Sequence, residues 1–170
     1  FYFLHFKIMD LKNIDAFVFD FDGVLTDNRV YVNQDGKESV CCNRSDGLAF
    51  EALRKLKIPT FILSTESNPV VIARAKKLKV PVFKGIKDKR KTLVELCAKK
   101  KFDPKKIFYA GNDINDYYAM KDCVYTACPS DSHQSIKEIS KFILSSRGGN
   151  CVVREIVESI FKLNLLEILY

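Results

Sequence analysis

Asp20 and Asp22 stand one residue apart at the end of an apolar run, Phe17-Val18-Phe19, with Phe21 between them and Gly23 after them. Two acids at i and i+2 of a strand project to one side, and the carboxyl end of a strand is where open α/β sheets bind ligands. Paired carboxylates there can hold a divalent cation through oxygen, attack an electrophile or move a proton. A solvated strand-to-turn corner is the plainer alternative, because Asp and Gly are both common turn formers. The apolar residues that run up to Asp20 favour chemistry, since they place it at the edge of a core and not on a polar loop.

Other polar residues follow apolar runs in the same manner. Ser64 comes directly after Thr60-Phe61-Ile62-Leu63, where its hydroxyl could meet an anion or cap the helix expected over 69–78. Lys89 lies in Gly85-Ile86-Lys87-Asp88-Lys89, with Arg90 and Lys91 beside it; it reads either as a charge aimed at an anion or as part of a solvated basic turn. Asn112, Asp113 and Asp116 follow Ile107-Phe108-Tyr109-Ala110-Gly111 and could complete a metal site or sit at the amino end of a helix, where acids are favoured.

Placing these residues together is the task of a recurring pattern. Strand-like runs at 16–21, 60–63, 80–83, 107–110, 124–127 and 142–144 alternate with helix-like segments such as 48–56, 69–78 and 92–100, whose apolar residues recur at three- and four-residue spacing. Short apolar strands alternating with helices predict a parallel sheet covered on both faces, an open doubly wound α/β fold. Arg29-Val30-Tyr31-Val32 and Ser39-Val40-Cys41-Cys42 flank Asn33-Gln34-Asp35-Gly36, whose Asp-Gly signals a β-hairpin. Coming straight after the Asp pair, the hairpin would act as a flap, and no segment is long enough for a large cap domain.

The 170 residues, 47% of them hydrophobic, suit one substantial core. Residues 9–170 are expected to form a single domain, with 1–8 (Phe-Tyr-Phe-Leu-His-Phe-Lys-Ile) an extension of uncertain status. That opening stretch lacks a small-residue cleavage site, which argues against a signal peptide, and no apolar run is long enough to span a membrane. Cys41, Cys42, Cys97, Cys123, Cys128 and Cys151 show no Cys-x-x-Cys spacing, which argues against zinc and for a reducing cytoplasm. The net charge of +7 attracts anions; without exposed aromatics among the lysines it points to a small anionic substrate and not to nucleic acid.

Together these motifs resemble the haloacid dehalogenase (HAD) superfamily over nearly the whole chain. Phe19-Asp20-Phe21-Asp22-Gly23-Val24 is similar to its nucleophile loop, the Ser64 and Lys89 segments to its second and third motifs, and Gly111-Asn112-Asp113-Ile114-Asn115-Asp116 to its fourth. The resemblance implies that Asp20 becomes an aspartyl-phosphate, that Asp22 protonates the leaving alkoxide and then activates water, and that Ser64 and Lys89 bind the phosphate. It also implies Mg2+ held by Asp20, by Asp22 through its backbone carbonyl, and by the fourth-motif loop at Asn112 and Asp113. The family usually places Asp where this chain has Asn112; an amide oxygen ligates with less charge, and Asp113 or Asp116 could compensate.

Absence of a cap, the early hairpin, Asn43-Arg44-Ser45-Asp46-Gly47, and Arg147-Gly148-Gly149 with Val153-Arg154-Glu155 narrow the match. They resemble the branch of 3-deoxy-D-manno-octulosonate 8-phosphate phosphatase, the nonulosonate 9-phosphate phosphatases and the C-terminal module of acylneuraminate cytidylyltransferases. The resemblance implies a homotetramer in which a neighbour closes the site, and a phosphorylated 2-keto-3-deoxy sugar acid as substrate. Asp46, Glu66, Arg74 and Lys77 are the candidate substrate contacts. The eight-carbon phosphatases usually carry Arg where this chain has Glu66, so a buried Glu66 would favour a nonulosonate, while a helix first-turn acid is its plain alternative; Arg74 and Lys77 could supply the missing positive charge. Cys151 falls where the branch often has glycine. The competing function is a weakly active or non-catalytic oligomerisation module associated with a cytidylyltransferase.

Overall fold

The computed structural model describes residues 9–170, so the expectation for residues 1–8 lies outside the described residues. Strand β1 (Ala16–Asp20) is followed by the hairpin β2 (Tyr31–Val32) and β3 (Glu38–Ser39), helix α1 (Ser45–Lys55), β4 (Thr60–Leu63), α2 (Pro69–Leu78), β5 (Val82–Phe83) and α3 (Lys89–Lys100). Then come β6 (Ile107–Ala110), α4 (Tyr117–Lys121), β7 (Tyr125–Cys128), α5 (Gln134–Ile139), β8 (Phe142–Ile143), α6 (Val152–Glu155), a π-helical turn (Ile156–Ile160) and α7 (Leu165–Leu169).

Six strands form one sheet in the order β5-β4-β1-β6-β7-β8, and every pairing in it is parallel. The doubly wound fold expected from the alternation is thus present. The strand order reverses at β1, which pairs β4 on one side and β6 on the other; that reversal opens the crevice at the carboxyl ends where such sheets take ligands.

Strand β1 is buried along its length, and its alternating side chains feed two cores. Phe17 and Phe19 join α1, α2 and residues 152–165 on one face, whereas Ala16 and Val18 meet α3, α4 and α5 on the other. Below the reactive end, the rings of Phe17, Phe108 and Phe161 lie 5.1–5.3 Å apart, a rigid floor for the strand carrying Asp20.

Several boundaries differ from the sequence-based ones. Strand β1 stops at Asp20, and Phe21 accepts from the N–H groups of Leu25 and Thr26, so Asp22 belongs to a tight turn and not to the same face of a strand. Helix α3 begins at Lys89 because Asp88 caps it by accepting from Lys91 N at 3.0 Å. The hairpin pairs only Tyr31 with Ser39 and Val32 with Glu38, and a lone bridge joins Thr26 to Cys42 at its base. Among the described residues no helix is long and apolar enough to cross a membrane, and all six cysteines are free.

Candidate active site

The carboxyl ends of β1, β4 and β6 and the first residue of α3 bring four of the expected residues together. Lys89 is almost fully buried, and its Nζ donates to Asp20 Oδ1 at 2.6 Å and to Asp116 Oδ1 at 2.7 Å. The solvated-turn alternative therefore fails for Lys89 while holding for its exposed neighbours Lys87 and Arg90. Burial works to lower the Lys89 pKa, but Asp20 and Asp116 outweigh it and raise it above the ordinary lysine range. Asp20 Oδ1 also accepts from Phe21 N at 2.7 Å, and its Oδ2 has no hydrogen-bond partner among the described residues. Burial, then the Asp116 carboxylate, raise Asp20 to about 8 against the pull of Lys89.

Asp116 is the surprise of the fourth motif. It is fully buried: Oδ1 accepts from Lys89 Nζ and from Tyr109 Oη at 2.9 Å, and Oδ2 from Asn112 N at 3.0 Å and Asp113 N at 3.5 Å. Four donors occupy its lone pairs, so the expectation that Asp116 could replace a missing metal carboxylate is corrected: it organises the loop and fixes Lys89. Tyr109, which the sequence showed only as part of an apolar strand, supplies one of those donors. Gly111 is required beside it, since a Cβ there would lie 2.6 Å from Asp116 Cγ.

Asn112 is buried, and its Oδ1 is without a hydrogen-bond partner. Its amide packs on Gly23, where a Cβ would collide with Nδ2 and where φ is +80°, a conformation that favours glycine. Such an orphaned oxygen is costly unless something binds it. No three Asp, Glu, His or Cys side chains converge as a metal cage among the described residues. A cation would therefore draw on Asp20 Oδ2, the Asn112 amide oxygen and backbone carbonyls, an all-oxygen donor set that suits a hard divalent ion completed by water. Asp113 is half-buried with Oδ1 accepting from Ile114 N at 2.7 Å, which leaves its other oxygen without a hydrogen-bond partner among the described residues.

Ser64 is fully buried at the end of β4, and its Oγ accepts from Glu66 N at 3.1 Å, so its own O–H remains to donate. It does not cap α2, because Asn68 does that by accepting from Val70 N at 3.0 Å. Asp22 is raised above the ordinary carboxylate range by burial first and by the Glu66 carboxylate next, with Lys89 opposing and Glu38 adding. Those causes place the flap and the second-motif loop beside it, and Asn68 Nδ2 donates to Glu38 Oε2 at 2.8 Å, which ties flap to loop.

The expected substrate residues scatter. Glu66 is half-buried, not buried, and lies ahead of α2, where its Oε1 accepts from Ser67 N at 2.6 Å and Asn68 N at 2.8 Å; it is neither a first-turn acid nor wholly free for a ligand. Asp46 is buried and accepts from Arg154 N at 3.0 Å. It caps α6, whose own capping residue, Cys151, sits at φ +65° with no side-chain cap. Asp46 thus caps α6 through one oxygen, while its Oδ2 is buried without a hydrogen-bond partner, and burial pushes it up to about 6. Arg74 Nη2 donates to Asn43 O at 2.6 Å. Lys77, exposed and near the end of α2, lies about 12–13 Å along the axis from the amino end of that helix; with Arg74 it lines a groove that shares no residue with the cluster around Asp20.

Comparison with known proteins decides what this arrangement belongs to. A structure from Streptomyces avermitilis MA-4680, described as a HAD family hydrolase, shares 38% identity over 94% of this chain and 91% of its own, with a TM-score of 0.89. The chain belongs to the HAD family. A second HAD structure is 3-deoxy-D-manno-octulosonate 8-phosphate phosphatase from Moraxella catarrhalis, in complex with magnesium, phosphate and KDO; it shares 31% identity over 89% of this chain and 88% of its own, with a TM-score of 0.85. The phosphatase of the same name from Yersinia pestis is 26% identical over 154 residues, 90% of this chain and 82% of its own. No protein-family model matches the chain. As expected from the sequence, this HAD chain is of the capless kind, its hairpin being the sole insertion after β1.

Proposed function

We propose that the chain is a divalent-metal-dependent phosphatase that hydrolyses the phosphate monoester of a 2-keto-3-deoxy sugar acid. The observation that carries this reading is Asp20: buried at the end of β1 and held by Lys89 through one oxygen, with the other left free of hydrogen bonds, while Asn112 in the fourth-motif loop keeps an orphaned amide oxygen. The KDO 8-phosphate phosphatases among its relatives support the substrate class, and the magnesium in the Moraxella complex supports the ion.

In this reading Asp20 Oδ2 attacks phosphorus, and the bond from phosphorus to the sugar oxygen breaks. Asp22, whose raised pKa keeps it protonated longer than an ordinary carboxyl, gives its proton to the leaving alkoxide. The Asp22 carboxylate then takes a proton from water as that water attacks the aspartyl-phosphate; inorganic phosphate leaves and Asp20 is restored. Lys89 and the Ser64 hydroxyl neutralise and orient the transferring oxygens. Magnesium, held by Asp20, Asn112, the Asp22 carbonyl and Asp113, would keep Asp20 ionised and shield its charge from the phosphate.

Glu66 is the residue beside Asp22 that would read the sugar. Its second oxygen accepts hydrogen bonds but repels a carboxylate, which favours a nonulosonate 9-phosphate, read through hydroxyl or acylamino donors, over KDO 8-phosphate. A neighbouring copy would complete the pocket, and the exposed Tyr31 and Val32 of the flap supply an apolar edge for it. Phosphate release with magnesium from KDO 8-phosphate and nonulosonate 9-phosphates, with Asp20→Asn as blank, tests the reading. Turnover of one nonulosonate ester supports all of it; turnover of KDO 8-phosphate alone rejects Glu66 as selector; no turnover by folded protein above the blank rejects the phosphatase and leaves the oligomerisation module.

A further inference from the structure

We propose that the groove between α1 and α2 is a second anion site, separate from the catalytic cluster, that binds a short oligophosphate. The groove measures about 380 Å³ and is lined by Arg44, Arg54, Arg74, Lys77 and Lys79, with Glu51 the one acid among its lining residues. Arg54 reaches Glu51 at 3.8 Å. The other four cations form no ion pair among the described residues.

A solvated basic face explains only part of this. Lys77 and Lys79 sit at the carboxyl end of α2, where the helix dipole welcomes cations. Arg44 stands at the amino end of α1, where the dipole opposes a cation, and it forms no ion pair among the described residues, although Asp46 lies in the same first turn. Arg74 is already fixed by its bond to Asn43 O, while its Nε is buried without a partner. A guanidinium ordered before the ligand arrives, with donor capacity left over, lowers the cost of binding.

The chemistry of the lining selects the ligand. Guanidinium forks match phosphate oxygens in pairs, and four cations without an ion-pair partner in so small a volume call for several negative charges close together. No aromatic side chain lines the groove, so nothing stacks a base, and a compact pocket does not follow a polymer backbone. A di- or triphosphate chain fits these terms.

Calorimetric titration of the full chain with inorganic tripolyphosphate, without divalent metal and at about 150 mM salt, tests the proposal. The expected result is one-to-one binding by wild type and by Ser64→Ala, weakened at least about tenfold by the double variant Lys77→Glu/Lys79→Glu, whose positions are exposed and whose thermal unfolding checks the fold. Orthophosphate should bind much more weakly, and ATP no more tightly than tripolyphosphate. Absence of binding by wild type, equal affinity in the charge-reversed variant, or loss on Ser64→Ala instead would each overturn the site; tighter binding of ATP would overturn its confinement to the phosphate chain. None of these readings depends on turnover, so failure here is distinguishable from failure of the phosphatase assignment.

Discussion

Two buried carboxylates with raised pKa values, Asp20 and Asp46, occupy opposite roles in the same molecule. Asp20 is paired with a buried ammonium through one oxygen and keeps the other free of hydrogen bonds among the described residues. Asp46 accepts from the backbone at the start of α6 and reaches no lysine ammonium. Burial alone raises a carboxyl pKa and says nothing of purpose. What separates the two is the partner: Asp20 shares a buried ammonium with Asp116, whereas Asp46 holds the backbone at the start of a helix.

Asp20→Asn should break the comparison on the reactive side most severely, lowering phosphate release by at least about 10³-fold while thermal unfolding shows an intact fold. Lys89→Met comes next. Removing the ammonium from this buried network strips Asp20 and Asp116 of their shared donor and should cost about 3–5 kcal/mol in urea unfolding at pH 7.

On the architectural side, Asp46→Asn tests a pH dependence with a definite sign. The folded value of about 6 lies above the ordinary 3.8, so the Asp46 contribution is fully present below about pH 4 and is lost as pH rises through about 6. The stability of Asp46→Asn relative to wild type should therefore increase across that interval, by about 3 kcal/mol at most. A flat difference would mean that Asp46 does not titrate in this window. Two smaller effects follow. Asn112→Asp should lower the magnesium midpoint about tenfold, read as thermal stabilisation on metal titration. Cys151→Gly, relieving a left-handed φ of +65°, should stabilise the fold by about 0.5–1 kcal/mol.

Much of this was legible from local pattern. The alternation of apolar strands and helices foretold the sheet, and Ser64, Lys89 and Asn112 were found because each follows a strand or opens the next helix. What stayed hidden depends on partners distant in sequence. Asp46 meets the backbone of Arg154, and no spacing rule links those positions. The Tyr109 hydroxyl was invisible inside an apolar run, although its polar tip needs a buried partner; a Tyr two residues before the motif glycine was the available signal. Arg74 and Lys77 were assigned by charge alone, but helix length carries Lys77 away from the crevice. Asp116 was misjudged because counting acids does not show which lone pairs are already taken.

The paired glycines near the end of the chain have a consequence for the order of assembly. Gly149 donates to Val24 O at 3.0 Å, and a Cβ at either glycine would strike the turn that holds Asp22. The loop that clamps the nucleophile turn is made after every strand of the sheet, so the turn leaves the ribosome well before its clamp. During synthesis Asp20 and Asp22 therefore emerge before the segment that packs on their turn.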